Sequence, residues 1–168
     1  NPSIVRDVEG VEFTFRSPPP RATYMEDHDS YREHEATAAV LLEEHVRVGI
    51  IERQQDYFPL QDPTVPVPAF AEIIHPKGAT TKKDTAEPRP YIDCTLSGLN
   101  TATAPLALHL PSVEEVLPLL SPGWVLAKRD WRHGFHQVTV HPTSRRYLGI
   151  RLPNGEVARW KGLPFGAS

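Results

Sequence analysis

The pattern of apolar and polar positions changes several times along the chain. Residues 1–27 show little periodicity and contain Pro18-Pro19-Pro20, which reads as an extended lead-in with room for one short strand at Val11 to Phe15. From Asp29 onward, Ser30 followed by Glu33 forms a capping-box signature, and Ala39, Leu42 and Val46 recur at helical spacing before Gly49. A helix of about five turns is predicted there. Ile50-Ile51-Glu52 then leads into Pro59, Pro63, Pro66 and Pro68, whose missing amide donors argue against a central strand and for an irregular connection. Phe70 to His75 reads as a short strand paired with Tyr91 to Asp93, and the polar loop Lys77 to Pro88 between them would present cations at its tip. Ser112 and Glu115 make a second capping box ahead of Val116, Leu117, Leu119 and Leu120, with Pro118 expected to kink or shorten that helix. Val125 to Arg129 is a candidate buried strand ending at Asp130. Tyr147 to Leu152 and Val157 to Trp160 flank Pro153-Asn154-Gly155-Glu156, and Asn-Gly supplies the positive φ that a tight hairpin turn requires.

A chain of 168 residues is long enough to bury one core. No run of about 18 apolar residues and no charged-then-apolar leader appears, so neither a membrane span nor a signal peptide is expected. The single cysteine, Cys94, excludes an internal disulfide and a Cys-rich zinc framework; a reducing, intracellular setting is expected. The net charge of -3 hides a division: residues 1–120 hold 10 basic and 19 acidic side chains, whereas residues 121–168 hold 8 and 2. Lys128, Arg129, Arg132, Arg145, Arg146, Arg151, Arg159 and Lys161 are therefore expected to form a phosphate-attracting surface, the alternative being a solvated face.

Asp130 closes a hydrophobic-then-basic run and could supply one hard oxygen ligand to a divalent cation, although an aspartate after a basic pair is commonly a surface or capping residue. Its setting is more specific. Gly134-Phe135, His141-Pro142 and Leu163-Pro164-Phe165-Gly166 follow it in order, while Val48-Gly49-Ile50-Ile51-Glu52, Arg89-Pro90-Tyr91-Ile92-Asp93 and Leu110-Pro111 precede it. In this order and spacing, over about residues 35 to 168, the chain resembles the fingers and N-terminal palm of retroelement (retrotransposon-type) reverse transcriptases.

The resemblance implies an α+β chain with a partial right-hand polymerase fold, its helical and β fingers joined to an incomplete antiparallel palm sheet. Residues 1–27 would be the lead-in, 28–109 a fingers-like subdomain and 110–168 the first part of the palm. Asp130 corresponds to the first catalytic, metal-binding aspartate, with Mg²⁺ or Mn²⁺ as the implied cofactor. Trp131 would offer its backbone carbonyl, and His133 and Gly134 would turn their amides toward the triphosphate; the family commonly has a second aspartate where His133 stands. Phe135 matches the gate under the sugar of the incoming nucleotide, which implies preference for deoxynucleotides. Phe165 and Gly166 belong to the turn against the new base pair. Arg89 would pair with nucleotide phosphates through its planar fork, with Lys82 or Lys83, and less readily Lys77, adding a point charge. The family continues Asp-Tyr-Arg-x-Leu-Asn after this strand, whereas this chain reads Asp93-Cys94-Thr95-Leu96-Ser97-Gly98-Leu99-Asn100, two residues longer and without the second arginine, so no template contact is carried onto it.

The implied activity is RNA-directed DNA synthesis on an RNA or DNA template-primer with dNTPs. The implied parent is longer, supplying an Asp-Asp hairpin, the rest of the palm, a thumb and RNase H or integrase regions. Alone, this chain is expected to be inactive, with exposed apolar surface where further palm strands would pack. The alternative reading is a decayed or co-opted polymerase-like domain that binds nucleic acid or protein without catalysis. Of the eight histidines, His133 and His136 have zinc-like spacing, and the non-metal reading is favoured for them.

Overall fold

The computed structural model describes residues 10–21, 25–57, 69–81, 87–104, 111–125, 127 and 134–167. Within them the chain is a mixed α/β structure with two small antiparallel sheets. The predicted five-turn helix is divided into α1 (Asp29–Arg32) and α2 (Glu35–Arg47). Ser30, the expected cap, lies inside α1, whose N-cap is His28 with no side-chain cap bond, and its Oγ accepts from the Ala79 amide at 3.3 Å across 49 residues of sequence. The far end behaves as the sequence indicates. Gly49 has φ +79, its amide donates to Val46 O at 3.0 Å, and that of Ile50 donates to His45 O at 2.9 Å, a Schellman closure. The buried stripe of α2 is Ala38, Leu42 and His45, one step round from the predicted Ala39, Leu42 and Val46.

The chain leaves α2 directly into β1 (Ile51–Arg53), a strand not anticipated from the sequence, which forms the edge of the sheet order β1-β5-β4. β4 (Gly149–Arg151) and β5 (Val157–Trp160) are the predicted hairpin, turned at Gly155 with φ +85. β5 lies in the middle, with Ile51 opposite Trp160 and Ile150 opposite Ala158. The proline-rich connection at 59–68 lies outside the described residues.

The second sheet corrects the predicted pairing. β3 (Pro88–Ile92) pairs with β2 (Lys77–Thr81), whereas residues 70–75 form only an isolated bridge, Ile74 to Gly149. Lys77 looked like a solvated loop residue, yet it is 3% exposed: its Nζ donates to Arg151 O at 2.5 Å, pairs with Asp27 at 2.8 Å and lies 4.8 Å from the Tyr31 ring centre. A buried ammonium is tolerable because it is paired and hydrogen-bonded. Gly78 opposes Tyr91, whose ring fills the space a Cβ would need.

Two short helices follow, α3 (Leu99–Ala102) and α4 (Val113–Val116). The Ser112/Glu115 capping box forms with both reciprocal bonds, and the chain tightens at Pro118 into a 3-10 turn, Leu117–Leu119. Val125, the start of the expected buried strand, is 94% exposed and lies outside any strand; residues 126 and 128–130 of that segment are not described. Val113, Leu117, Leu119 and Trp124 also face solvent.

The core joins both sheets through Leu42, Ile51, Ile73, Ile92, Leu99, Val140, Leu148, Ile150 and Trp160. The lead-in contributes to it. Val11 and Phe15 make isolated bridges to Val140 and Thr103 and no strand, and Phe15 meets Tyr147 edge-on at 4.9 Å. Among the described residues no helix is long and apolar enough to cross a membrane.

His75 is a buried tie in this core. Its Nε2 lies 2.7 Å from Tyr147 O, which can only accept, so Nε2 carries the proton and Nδ1 accepts from Ser97 Oγ at 2.7 Å. Burial holds the imidazole pKa below its ordinary value, opposed by the Tyr147 hydrogen bond and by Asp93. A neutral folded-state imidazole binds fewer protons than the unfolded one, so its contribution is present above about pH 6.5 and declines as pH falls below that. In urea titrations, the stability of wild type should fall more steeply between pH 7 and 5 than that of His75→Phe, by up to about 1.4 kcal/mol per pH unit. Parallel profiles would remove His75 from the acid response.

Candidate functional site

The Leu163–Gly166 turn is placed by the strand before it and by two distant segments. At the end of β5, the Lys161 amide donates to Ile50 O at 2.8 Å, and the Leu163 amide to Val138 O at 2.8 Å. The buried His136 ring offers Nδ1 to Leu163 O at 3.1 Å. On the other side, the Ile92 amide donates to Phe165 O at 3.1 Å, and Asn100 Nδ2 to Gly166 O at 2.9 Å.

The proline content of β3 explains that docking. Backbone groups along a strand point alternately to opposite sides, so residues 88, 90 and 92 share the edge facing away from β2. Pro88 and Pro90 have no amide hydrogen there, which leaves Ile92 as the donor that receives the turn. Gly166, with φ +102, packs its back against Ile92 O, where any Cβ would collide.

Phe135 stands in a 3-10 turn, Gly134–Gln137, and is 51% exposed. Its ring centre lies 4.9 Å from that of Phe165, which meets His136 edge-on at 5.3 Å; His136 stacks on Trp160 at 5.0 Å and 17°. His45 approaches His136 edge-on at 4.8 Å. An aromatic column thus runs from the exposed Phe135 to Trp160 in the sheet core.

Of the residues singled out from the sequence, the structure brings together Gly134, Phe135, Phe165 and Gly166. Arg89 is exposed on β3, three positions before Ile92, or about 10 Å along the strand. Asp130, Trp131, His133, Lys82 and Lys83 lie outside the described residues, as do Lys128, Arg129 and Arg132. His136 is occupied with the turn and Trp160, and among the described residues no group of three His, Cys, Asp or Glu side chains could hold a metal ion.

Two electrostatic expectations are corrected. Lys77, the alternative phosphate cation, is buried against Asp27 and Arg151 O. The surface expected from eight basic residues is also smaller than their number, because Arg159 is 4% exposed, donating to Glu52 at 2.8 Å and Phe70 O at 3.0 Å and lying against both the Tyr57 and Phe70 rings. Arg145 donates to Val140 O, and burial lowers its pKa from the ordinary value; Arg146 pairs with Glu72 at 3.3 Å.

Sequence reasoning passed over Asn100. The signal was present: Leu99-Asn100 matches the Leu-Asn that closes the family's fingers motif, displaced by two residues. The structure absorbs the surplus in the turn 94–98, where Asp93 Oδ1 accepts from the Thr95 and Leu96 amides at 3.0 and 2.7 Å and Gly98 takes φ +82.

No protein-family model matches the chain. The enzymatic polyprotein of figwort mosaic virus (strain DxS) is 32% identical over 68 residues, 40% of this chain and 10% of that polyprotein. The crystal structure of native prototype foamy virus protease-reverse transcriptase superposes over 90% of this chain and 18% of its own, with TM-score 0.59 and 13% identity. The foamy viral protease-reverse transcriptase in complex with double-stranded DNA superposes over 94% of this chain and 27% of its own, with TM-score 0.57 and 13% identity. This chain therefore spans a tenth of the curated relative and about a quarter or less of these solved chains. In the order of its motifs, in that sequence match and in its fold, the chain resembles a segment of a retroelement reverse transcriptase.

Proposed function

We propose that the chain is the fingers and first part of the palm of a retroelement RNA-directed DNA polymerase, with residues 1–27 as lead-in, 28–109 as fingers and 110–168 as palm. The observation that carries this reading is the meeting of Gly134-Phe135 with the Leu163–Gly166 turn beside the strand bearing Arg89. On this reading these motifs, far apart in sequence, would hold a nucleotide against the last base pair. On this reading Phe135 lies under the sugar and excludes a 2′-hydroxyl, while Phe165 and Gly166 face the new base pair. Arg89, with Lys82 or Lys83, takes the triphosphate, whose oxygens suit a guanidinium fork. Trp131, His133 and Gly134 supply backbone groups nearby.

Asp130 would hold Mg²⁺ or Mn²⁺ through a hard carboxylate oxygen, and a divalent cation at such a site stabilises charge during nucleotidyl transfer. On this reading Asp130 is the ligand this chain supplies; among the described residues no group of three His, Cys, Asp or Glu side chains could hold a metal ion. The substrate class is a template-primer duplex, as supported by the fold shared with a foamy viral enzyme solved with double-stranded DNA.

The second reading, a decayed or co-opted domain without catalysis, draws on His133 and on the two additional residues after Asp93. In this chain Asn100 donates to Gly166 O across that longer turn. Primer extension decides between the readings. The full-length polypeptide carrying this segment should extend a primer on RNA with dNTPs, and the 168-residue chain alone should not. A full-length protein that binds the duplex but adds no nucleotide would establish the second reading. Extension by the 168-residue chain would refute the assignment of its catalytic groups to a longer parent.

A further inference from the structure

We infer that Asn100 is a positioning residue for sugar discrimination: by holding the Gly166 carbonyl it fixes the turn just after Phe165, so that Phe165 braces the gate ring of Phe135. This rests on the polymerase reading above. Phe135 is half exposed on a short 3-10 turn, so its orientation needs a neighbour, and Phe165 is that neighbour at 4.9 Å. Phe165 in turn precedes Gly166, a residue with no Cβ and φ +102, whose backbone is conformationally the freest point of the turn. Two hydrogen bonds pin that point, from the Ile92 amide to Phe165 O and from Asn100 Nδ2 to Gly166 O. The first is built into β3, and the second depends on one side chain.

Asn100 is pre-aligned for the task. Its Nδ2 also donates to Thr95 Oγ1 at 3.1 Å, and its own amide donates to Cys94 O at 3.0 Å. The two hydrogens of the side-chain amide are directed at two fixed oxygens, so a flipped amide would set oxygen against oxygen at Gly166. Without this donor, Gly166 is held only on its N-terminal side, by the Ile92 amide on Phe165 O, and the turn can shift at Gly166 so that the Phe135 ring gains room to yield to a 2′-hydroxyl.

The test is primer extension by the full-length polymerase, measuring kcat/KM for a dNTP against the matching rNTP. Asn100→Ala and the isosteric Asn100→Asp, which cannot donate to Gly166 O, should each lower the deoxy/ribo preference about fivefold, the size expected for one lost hydrogen bond. Combined with Phe135→Val, which opens the gate directly, Asn100→Ala should add little, as residues acting through one another do. Thr103→Ala, which loses a bond to Leu99 O on the same helix α3, should leave the preference unchanged while reporting any general loosening through Tm. If the wild-type polymerase extends primers and both Asn100 variants keep its preference within about twofold, or Thr103→Ala shifts it equally, the inference is overturned and the polymerase reading stands. If the wild-type protein adds no nucleotide at all, the polymerase reading fails and this inference with it.

Discussion

On the proposed polymerase reading, Asp130→Asn in the full-length polypeptide should lower primer extension on the order of 10³-fold, with KM for the dNTP changing far less. The substitution keeps the shape of the side chain and removes its negative charge. Mg²⁺ gives up its hydration water only where several anionic oxygens converge, so a neutral amide oxygen is a poor replacement for a carboxylate. Charge stabilisation of several kcal/mol depends on such ligation, and about 1.4 kcal/mol corresponds to a factor of ten in rate. The phosphate contacts proposed for Arg89 and the stacking surface of Phe135 and Phe165 are untouched, which is why the loss should fall on kcat. Single-turnover extension across a range of Mg²⁺ and Mn²⁺ concentrations provides the measurement. The variant should also need more divalent ion for its half-maximal rate. A variant within tenfold of wild type at every concentration would strip Asp130 of its proposed role.

The features legible in the sequence were those whose cause is local. The Asn154-Gly155 turn fixed the β4–β5 hairpin, Ser112 and Glu115 announced the cap of α4, and Gly49 marked the end of α2, because each works through neighbours within a few residues. What was not legible depends on partners far along the chain. Ser30 has the look of a helix cap but serves Ala79, and Lys77 has the look of a loop cation but is buried beneath Arg151 O and Asp27. Arg159 counts as a surface charge until Glu52 and two aromatic rings enclose it. β1 is three residues long and carries no alternation from which a period could be read. At the candidate site the ordered motifs named Phe135 and the Phe165-Gly166 turn. Asn100, which donates to the turn at Gly166 O, was not singled out, because the stretch 93–100 departs from the family's motif by two extra residues and a missing arginine.

Gly166→Ala should destabilise the chain by about 3 kcal/mol, several times the effect of Gly155→Ala at about 1 kcal/mol. Both glycines have positive φ, +102 and +85, so both substitutions meet the penalty that an L side chain suffers in that region. Their surroundings differ. A Cβ at Gly155 meets nothing within 4 Å, whereas a Cβ at Gly166 runs into the carbonyl oxygen of Ile92, a backbone atom that cannot rotate aside. Relief requires the turn to lift from β3, which breaks the bond from the Ile92 amide to Phe165 O and that from Asn100 to Gly166 O, each worth about 1 kcal/mol. Since Phe165 would move with the turn, its contact with Phe135 should open as well. Denaturant titration of the two variants beside wild type measures the difference. Amide exchange should show Ile92 losing protection in Gly166→Ala and keeping it in Gly155→Ala. Equal destabilisation by the two would mean that the close approach of the turn to β3 contributes nothing beyond backbone conformation, and the link drawn from β3 to Phe135 would be broken.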